Sequence, residues 1–90
     1  KSGVYAIRTY YNDTLYTGML NIGIRPTVDD TFLRTIEVHI FDFNQDIYGE
    51  RLTVQLLYRF RDEQKFQSVE DLRNQLEKDE KQIRSYFSTL

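Results

Sequence analysis

The chain has no cysteine, one histidine, one proline and four glycines in 90 residues. Without cysteine there is neither a disulfide framework nor a thiolate metal site. The single histidine, His39, and carboxylates scattered at no recognisable ligand spacing give no metal cluster, so His39 reads as an ordinary strand residue. A basic excess is missing as well. Twelve Lys and Arg against 14 Asp and Glu leave a net charge of -2, which lacks the electrostatic term that holds proteins on phosphate backbones. Nucleic acid is therefore not expected as a partner. Apolar runs are too short for a membrane span or a signal segment, so no membrane is expected and the chain reads as soluble and cytoplasmic. Neither a Gly-x-Ser-x-Gly elbow, a Gly-x-x-x-x-Gly-Lys-Ser/Thr loop nor a Gly-x-Gly-x-x-Gly loop occurs.

What is present is aromatic and alternating. Seven Tyr and six Phe supply large apolar area per residue, which a domain of this size needs because it buries only about 60 to 65% of its unfolded surface. One domain over residues 1–90 is expected. Residues 3–10 and 15–22 read as a hairpin whose Asn12-Asp13 tip carries turn chemistry. Gly18 in the second strand marks a bulge, a bend or a close backbone approach. After a loop around Pro26, residues 34–43 alternate, with Ile36, Val38 and Ile40 on one face and Thr35, Glu37, His39 and Phe41 on the other. Residues 51–58 repeat the pattern, with Leu52, Val54, Leu56 and Tyr58 on one face. The period then lengthens: Val69, Leu72, Leu76, Ile83 and Phe87 fit an amphipathic helix over residues 68–87, with Ser68 as N-cap and Asp79 on or near its apolar stripe. The expected fold is mainly β, a small antiparallel barrel or curled sheet with one long C-terminal α-helix.

Two clusters can carry chemistry. Glu37 stands on the polar side of an apolar strand, flanked by loops holding Gly23, Pro26, Tyr48 and Gly49. A strand glutamate is usually a solvated outward group, but beside a dry pocket it can act as a general base toward a hydroxyl. Arg61, Glu63, Lys65 and Phe66 lie between the last strand and the helix. They are either solvated loop charges or, through Arg61 and Phe66, the border of a flat aromatic ligand.

The order of these segments carries a resemblance. Gly3-Val4-Tyr5-Ala6, Tyr16-Thr17-Gly18, Asn21 to Thr27, Ile36 to Phe43, Asp46-Ile47-Tyr48-Gly49, Arg61 to Phe66 and Asp79 together resemble the riboflavin kinase domain, above all the C-terminal half of the bacterial bifunctional riboflavin kinase/FAD synthetase. The resemblance implies a Greek-key, riboflavin-kinase-like β-barrel with a C-terminal helix, and transfer of the ATP γ-phosphoryl to the riboflavin 5′-hydroxyl, giving FMN and ADP with Mg²⁺ or another divalent cation. By the same resemblance Glu37 is the catalytic base, Arg61, Gln64 and Phe66 are flavin-binding, and Ile40, Asp42 and Tyr48 are nucleotide-binding.

One departure from the family pattern is expected to matter. A Gly-rich stretch and a Pro-Thr-Ala-Asn motif, whose Thr and Asn hold the metal and touch both substrates, precede this region in the family; Pro26-Thr27 belongs to a different loop. Read this way, the chain is a fragment with an incomplete barrel, no metal ligands and little or no kinase activity by itself, and an exposed sheet edge favours self-association. The alternative is a noncatalytic flavin- or nucleotide-binding or interaction β-barrel.

Overall fold

The computed structural model describes residues 1–26, 32–45, 49 and 51–89, with only the backbone of Arg25, Pro26 and Phe32. Aromatic and β-branched residues in alternation give four strands: β1 (Gly3–Tyr11), β2 (Thr14–Pro26), β3 (Phe32–Ile40) and β4 (Val54–Arg61). They are followed by the helix α1 (Val69–Ser88). The strands form one sheet in the order β3-β2-β1-β4, antiparallel at each junction. The sheet is not closed, so β3 and β4 are its edges.

The hairpin turns where expected. Asn12 and Asp13 take positive φ, 49° and 63°, between Tyr11 and Thr14, which are register partners. Two consecutive left-handed residues are what a two-residue hairpin with the strands' own twist requires. β3 ends earlier than its alternation suggests, at Ile40 rather than residue 43. Asp42 adopts φ 56°, which turns the chain out of the sheet although the Phe41 N–H still donates to the Thr17 carbonyl at 2.8 Å.

β4 begins and ends three residues later than the alternation implies, at Val54 and Arg61. Its register against β1 shifts twice, between Ala6 and Ile7 and between Val4 and Tyr5. Each shift inserts a residue and breaks the simple alternation. Leu56 thus pairs with Ile7 while Tyr58 pairs with Ala6, and Tyr58 lands on the helix side, its ring stacked on Tyr86 at 5.7 Å.

Helix α1 lies on the face that carries Val4, Ala6, Met19 and Phe41, where Ile83 is fully buried and Leu76, Tyr86 and Phe87 pack around it. Burying such a side chain stabilises by about 1.5–3 kcal/mol. Ser68 Oγ accepts the Asp71 N–H at 3.0 Å, and Glu70 and Asp71 stand in the first turn, so the expected N-cap and favourable dipole partners are both present. The opposite face has a smaller cluster of Tyr5, Ile7 and Leu20 and is otherwise open, with Ile36 61% and Leu56 50% exposed. An open sheet also explains a radius of gyration of 14.2 Å where a compact chain of this length has about 12 Å.

Candidate functional site

The register aligns four residues in one transverse row on the helix-covered face. Glu37 pairs with Asn21, Asn21 with Val4, and Val4 with Arg61. Directly opposed residues in a sheet point to the same side, and three strand spacings separate the ends by about 14 Å. The polar set of β3 therefore faces the helix, while Ile36 and Val38 face the open side. This reverses the burial that the apolar alternation of β3 suggests. Pairing with β2, rather than β3's own pattern, sets it: Met19 and Asn21 turn His39 and Glu37 toward α1.

Glu37 borders a cleft of about 180 Å³ whose other walls include Val4, Met19, Asn21, His39 and Leu76. Its carboxylate is thus exposed at the mouth of a largely apolar recess. The volume falls below the roughly 300–1,000 Å³ of pockets that enclose a whole small ligand, so the recess suits the end of a chain. His39 stays a strand residue: Nδ1 is 3.8 Å from Glu80 Oε1, and its ring meets Phe41 edge-on at 5.5 Å.

At the other end of the row, Arg61 makes a side-on pair with Asp79 of α1. Nε reaches Oδ1 at 2.9 Å and Nη2 reaches Oδ2 at 2.7 Å, and Nη1 donates to the Asp62 carbonyl at 3.0 Å. Asp79 is only 3% exposed, and Oδ1 also accepts from Gln75 Nε2 at 3.0 Å. A buried carboxylate on the apolar stripe is tolerated because every oxygen has a charged or amide donor. Gln64 and Phe66 line a second cleft of about 450 Å³ between the loop after β4 and the first turns of α1, and Gln75 lines it too.

Glu63 joins the two clusters. Its Oε2 accepts the Ile24 N–H at 2.7 Å, two residues beyond Ile22, the last β2 residue paired to β1. The loop carrying Gln64 and Phe66 is thereby tied to β2 three residues beyond Asn21. Nothing in the sequence singled out Glu63 from its charged neighbours, since its partner is a backbone amide 39 residues away. Nearby, Arg59 Nη2 bonds Asp62 Oδ1 at 2.7 Å, and this hydrogen bond, reinforced by the charge, lowers the Asp62 pKa below its ordinary value.

Of the three nucleotide-side residues, Ile40 and Asp42 are described. Ile40 lies on the face opposite Glu37, by alternation along β3. The Asp42 carboxylate contacts Arg84, Oδ2 to Nη1 at 3.1 Å and Oδ1 to Nη2 at 3.4 Å. Arg84 also bonds Glu80 at 2.9 Å and covers the Phe41 ring at 4.4 Å; its pKa is raised, chiefly by Asp42 and then Glu80. Tyr48, like Thr27, Asp46 and Ile47, lies outside the described residues. Among the described residues no group of three or more His, Cys, Asp or Glu side chains could hold a metal ion, and no helix is long and apolar enough to cross a membrane.

Residues 1–87 match the family described as Flavokinase, riboflavin kinase. The chain belongs to the riboflavin kinase family. It is 43% identical over 90 residues to the bifunctional riboflavin kinase/FMN adenylyltransferase of Listeria monocytogenes, covering 100% of this chain and 29% of that protein. It is 39% identical over 79 residues to the RNA-binding riboflavin kinase RibR of Bacillus subtilis, covering 88% of this chain and 34% of that protein. A solved structure described as a macrolide-efflux protein from Streptococcus pneumoniae superposes with a TM-score of 0.79 at 43% identity, over 92% of this chain and 27% of that one. The chain thus spans about a third or less of the relatives it matches. Within this riboflavin kinase domain, Glu37 and Arg61 are the two predicted site residues that the sheet sets in one row.

Proposed function

We propose that this domain binds riboflavin along the Glu37–Arg61 row and serves ATP-dependent phosphorylation of its ribityl hydroxyl, giving FMN. The observation that carries the reading is the row itself: a glutamate at a small, largely apolar recess and an arginine on the same face, their backbones three strand spacings, about 14 Å, apart. An elongated ligand, a flat ring bearing an extended hydroxylated arm, has the length to join these two ends, passing outside Val4, which α1 buries. In this reading the ring lies toward Arg61, Gln64 and Phe66, and the arm ends at Glu37. Glu37 Oε then takes the proton of the terminal hydroxyl as its oxygen attacks the γ-phosphorus of ATP, and ADP leaves.

Phosphoryl transfer depends mainly on positioning and charge neutralisation. The described residues do not fit an all-protein metal site, so Mg²⁺ enters this proposal as part of the MgATP substrate and no step is drawn through a protein-held ion. Ile40, Asp42 and Tyr48 remain the proposed nucleotide contacts, with Asp42 having to leave Arg84 to reach a nucleotide. The RNA binding in the name of the Bacillus subtilis relative is not extended to this chain, whose Arg59, Arg61 and Arg84 already pair with Asp62, Asp79 and Asp42. A cytoplasmic setting follows from the use of ATP. Edge pairing of β3 or β4 with a second copy is part of the proposal, and a strictly monomeric species in sedimentation at high concentration overturns it.

The deciding experiment measures FMN formation from riboflavin, ATP and Mg²⁺, and riboflavin affinity by quenching of flavin fluorescence, in the 90-residue chain and in the gene product that carries it. Turnover in the gene product with binding in both supports the proposal. Binding without turnover in either favours a noncatalytic flavin-binding domain, and absence of both overturns the flavin reading.

A further inference from the structure

The guanidinium of Arg61 is held at two places and keeps donors to spare. Asp79 takes the side-on fork, Nε and Nη2, at 2.9 and 2.7 Å, and the Asp62 carbonyl takes one N–H of Nη1 at 3.0 Å. A guanidinium has five N–H donors in a rigid planar fork. Two therefore have no acceptor among the described residues, one on each terminal nitrogen. The Arg61 side chain keeps 18% of its surface exposed while Asp79 keeps 3%. The carboxylate is thus the buried anchor and the arginine is the more accessible partner.

Gln75 extends this anchor to the neighbouring cleft. Its Nε2 donates to the same Asp79 Oδ1 at 3.0 Å, and its side chain lines the 450 Å³ cleft that also holds Gln64 and Phe66. The helix therefore reaches from the cleft wall through Gln75 and Asp79 to Arg61 without a break. A free arginine side chain carries about 2 kcal/mol of rotamer entropy, part of which a ligand must otherwise remove on binding.

We propose that Asp79, supported by Gln75, is a positioning residue that locks Arg61 so that its two unpaired N–H donors meet a carbonyl edge of the flat ring of the ligand. The inference rests on the flavin reading above and adds to it the residue that sets the orientation of Arg61. Asp79 touches no ligand in this scheme; it acts only through the guanidinium. Its negative charge also offsets that of Arg61, so the pair can sit under α1 without an uncompensated buried charge.

The test uses the gene product that carries the chain and reads riboflavin affinity, KM for riboflavin and KM for ATP in Asp79→Asn, Arg61→Gln, the double variant and Gln75→Leu. Asp79→Asn keeps the side-chain size but loses the charge and one acceptor. It is expected to weaken riboflavin binding about tenfold and to leave KM for ATP unchanged, with Gln75→Leu losing about two- to threefold. In the Arg61→Gln background, Asp79→Asn should add no further loss, a result that a purely structural role of Asp79 does not produce. The double variant also removes both charges of the pair, so it stays informative if Asp79→Asn alone does not fold. If it then matches Arg61→Gln in riboflavin affinity, the positioning role stands; if it binds distinctly more weakly, Asp79 acts by another route. Riboflavin binding weakened by Arg61→Gln but untouched by Asp79→Asn overturns the positioning role alone, as does an equal rise in both KM values. A protein that does not bind riboflavin at all overturns the flavin reading and this inference with it.

Discussion

Asn21 and Glu37 are register partners on β2 and β3, and both line the recess beneath Leu76 of α1. A carboxylate in that position can accept a proton from a ligand hydroxyl, whereas an amide of the same shape cannot. Glu37→Gln is therefore expected to lower kcat for FMN formation by about 10²- to 10⁴-fold with riboflavin affinity changed far less. Steady-state kinetics beside a fluorescence titration checks this, and unchanged turnover removes Glu37 as the base.

Gly18 has no room for a side chain between β2 and β3. It pairs with Ile7 on one side and Ile40 on the other, and a Cβ there would collide with the His39 carbonyl oxygen and lie 3.0 Å from Ile40 Cα. Both obstacles are backbone and cannot swing aside. Gly18→Ala is expected to destabilise by about 1–3 kcal/mol, seen as a lower urea midpoint with an unchanged slope; an unaltered midpoint means β2 and β3 separate more easily than the register implies.

The hairpin, the helix and its Ser68 cap were legible because each is encoded locally, by Asn12-Asp13, by the spacing of Leu76 and Ile83, and by a hydroxyl three residues before an amide. The face of β3 that α1 covers was not, since Ile36 and Val38 advertise burial that only a further packed layer could give them. The inserted residues of β4 were hidden too, because such shifts are set against β1 and leave no mark in the alternation, and so Tyr58 changed sides. As for the site, Glu37 and Arg61 could be named from sequence, but their common row required the register of three strand pairs. Asp79 gave a partial signal: an acid on an apolar helical stripe implies a buried cation, without saying which one.

Asp62 provides a pH prediction with a definite sign. Arg59 donates to its carboxylate and holds its pKa below the ordinary value of 3.8. A depressed folded value means the pair's stabilisation is present above pH 3.8 and is lost as pH falls through the lower folded value. The side chain is 82% exposed, so the effect on stability is small and the titration itself is the better readout. NMR titration of the Asp62 carboxyl should give a midpoint below 3.8, and Arg59→Gln should return it; a midpoint unmoved by that substitution shows that Arg59 is not the cause.

Gly23 and Glu63 make the most discriminating pair for site assembly. A Cβ on Gly23 would lie 2.6 Å from Glu63 Oε2, the same oxygen that accepts the Ile24 N–H. The obstacle is the far end of a flexible side chain, so Gly23→Ala should displace the carboxylate and leave β2 intact. Its cost is then the lost hydrogen bond, about 0.5–1.5 kcal/mol, close to that of Glu63→Ala. The double variant should cost little more than either single one, a coupling of the size expected for residues in contact. Because Glu63 ties down the loop that bears Gln64 and Phe66, both single variants should also weaken riboflavin binding by similar factors. Strict additivity in urea denaturation would mean that Glu63 already releases Ile24 in solution, and that the loop reaches its ligand-binding position without this tie.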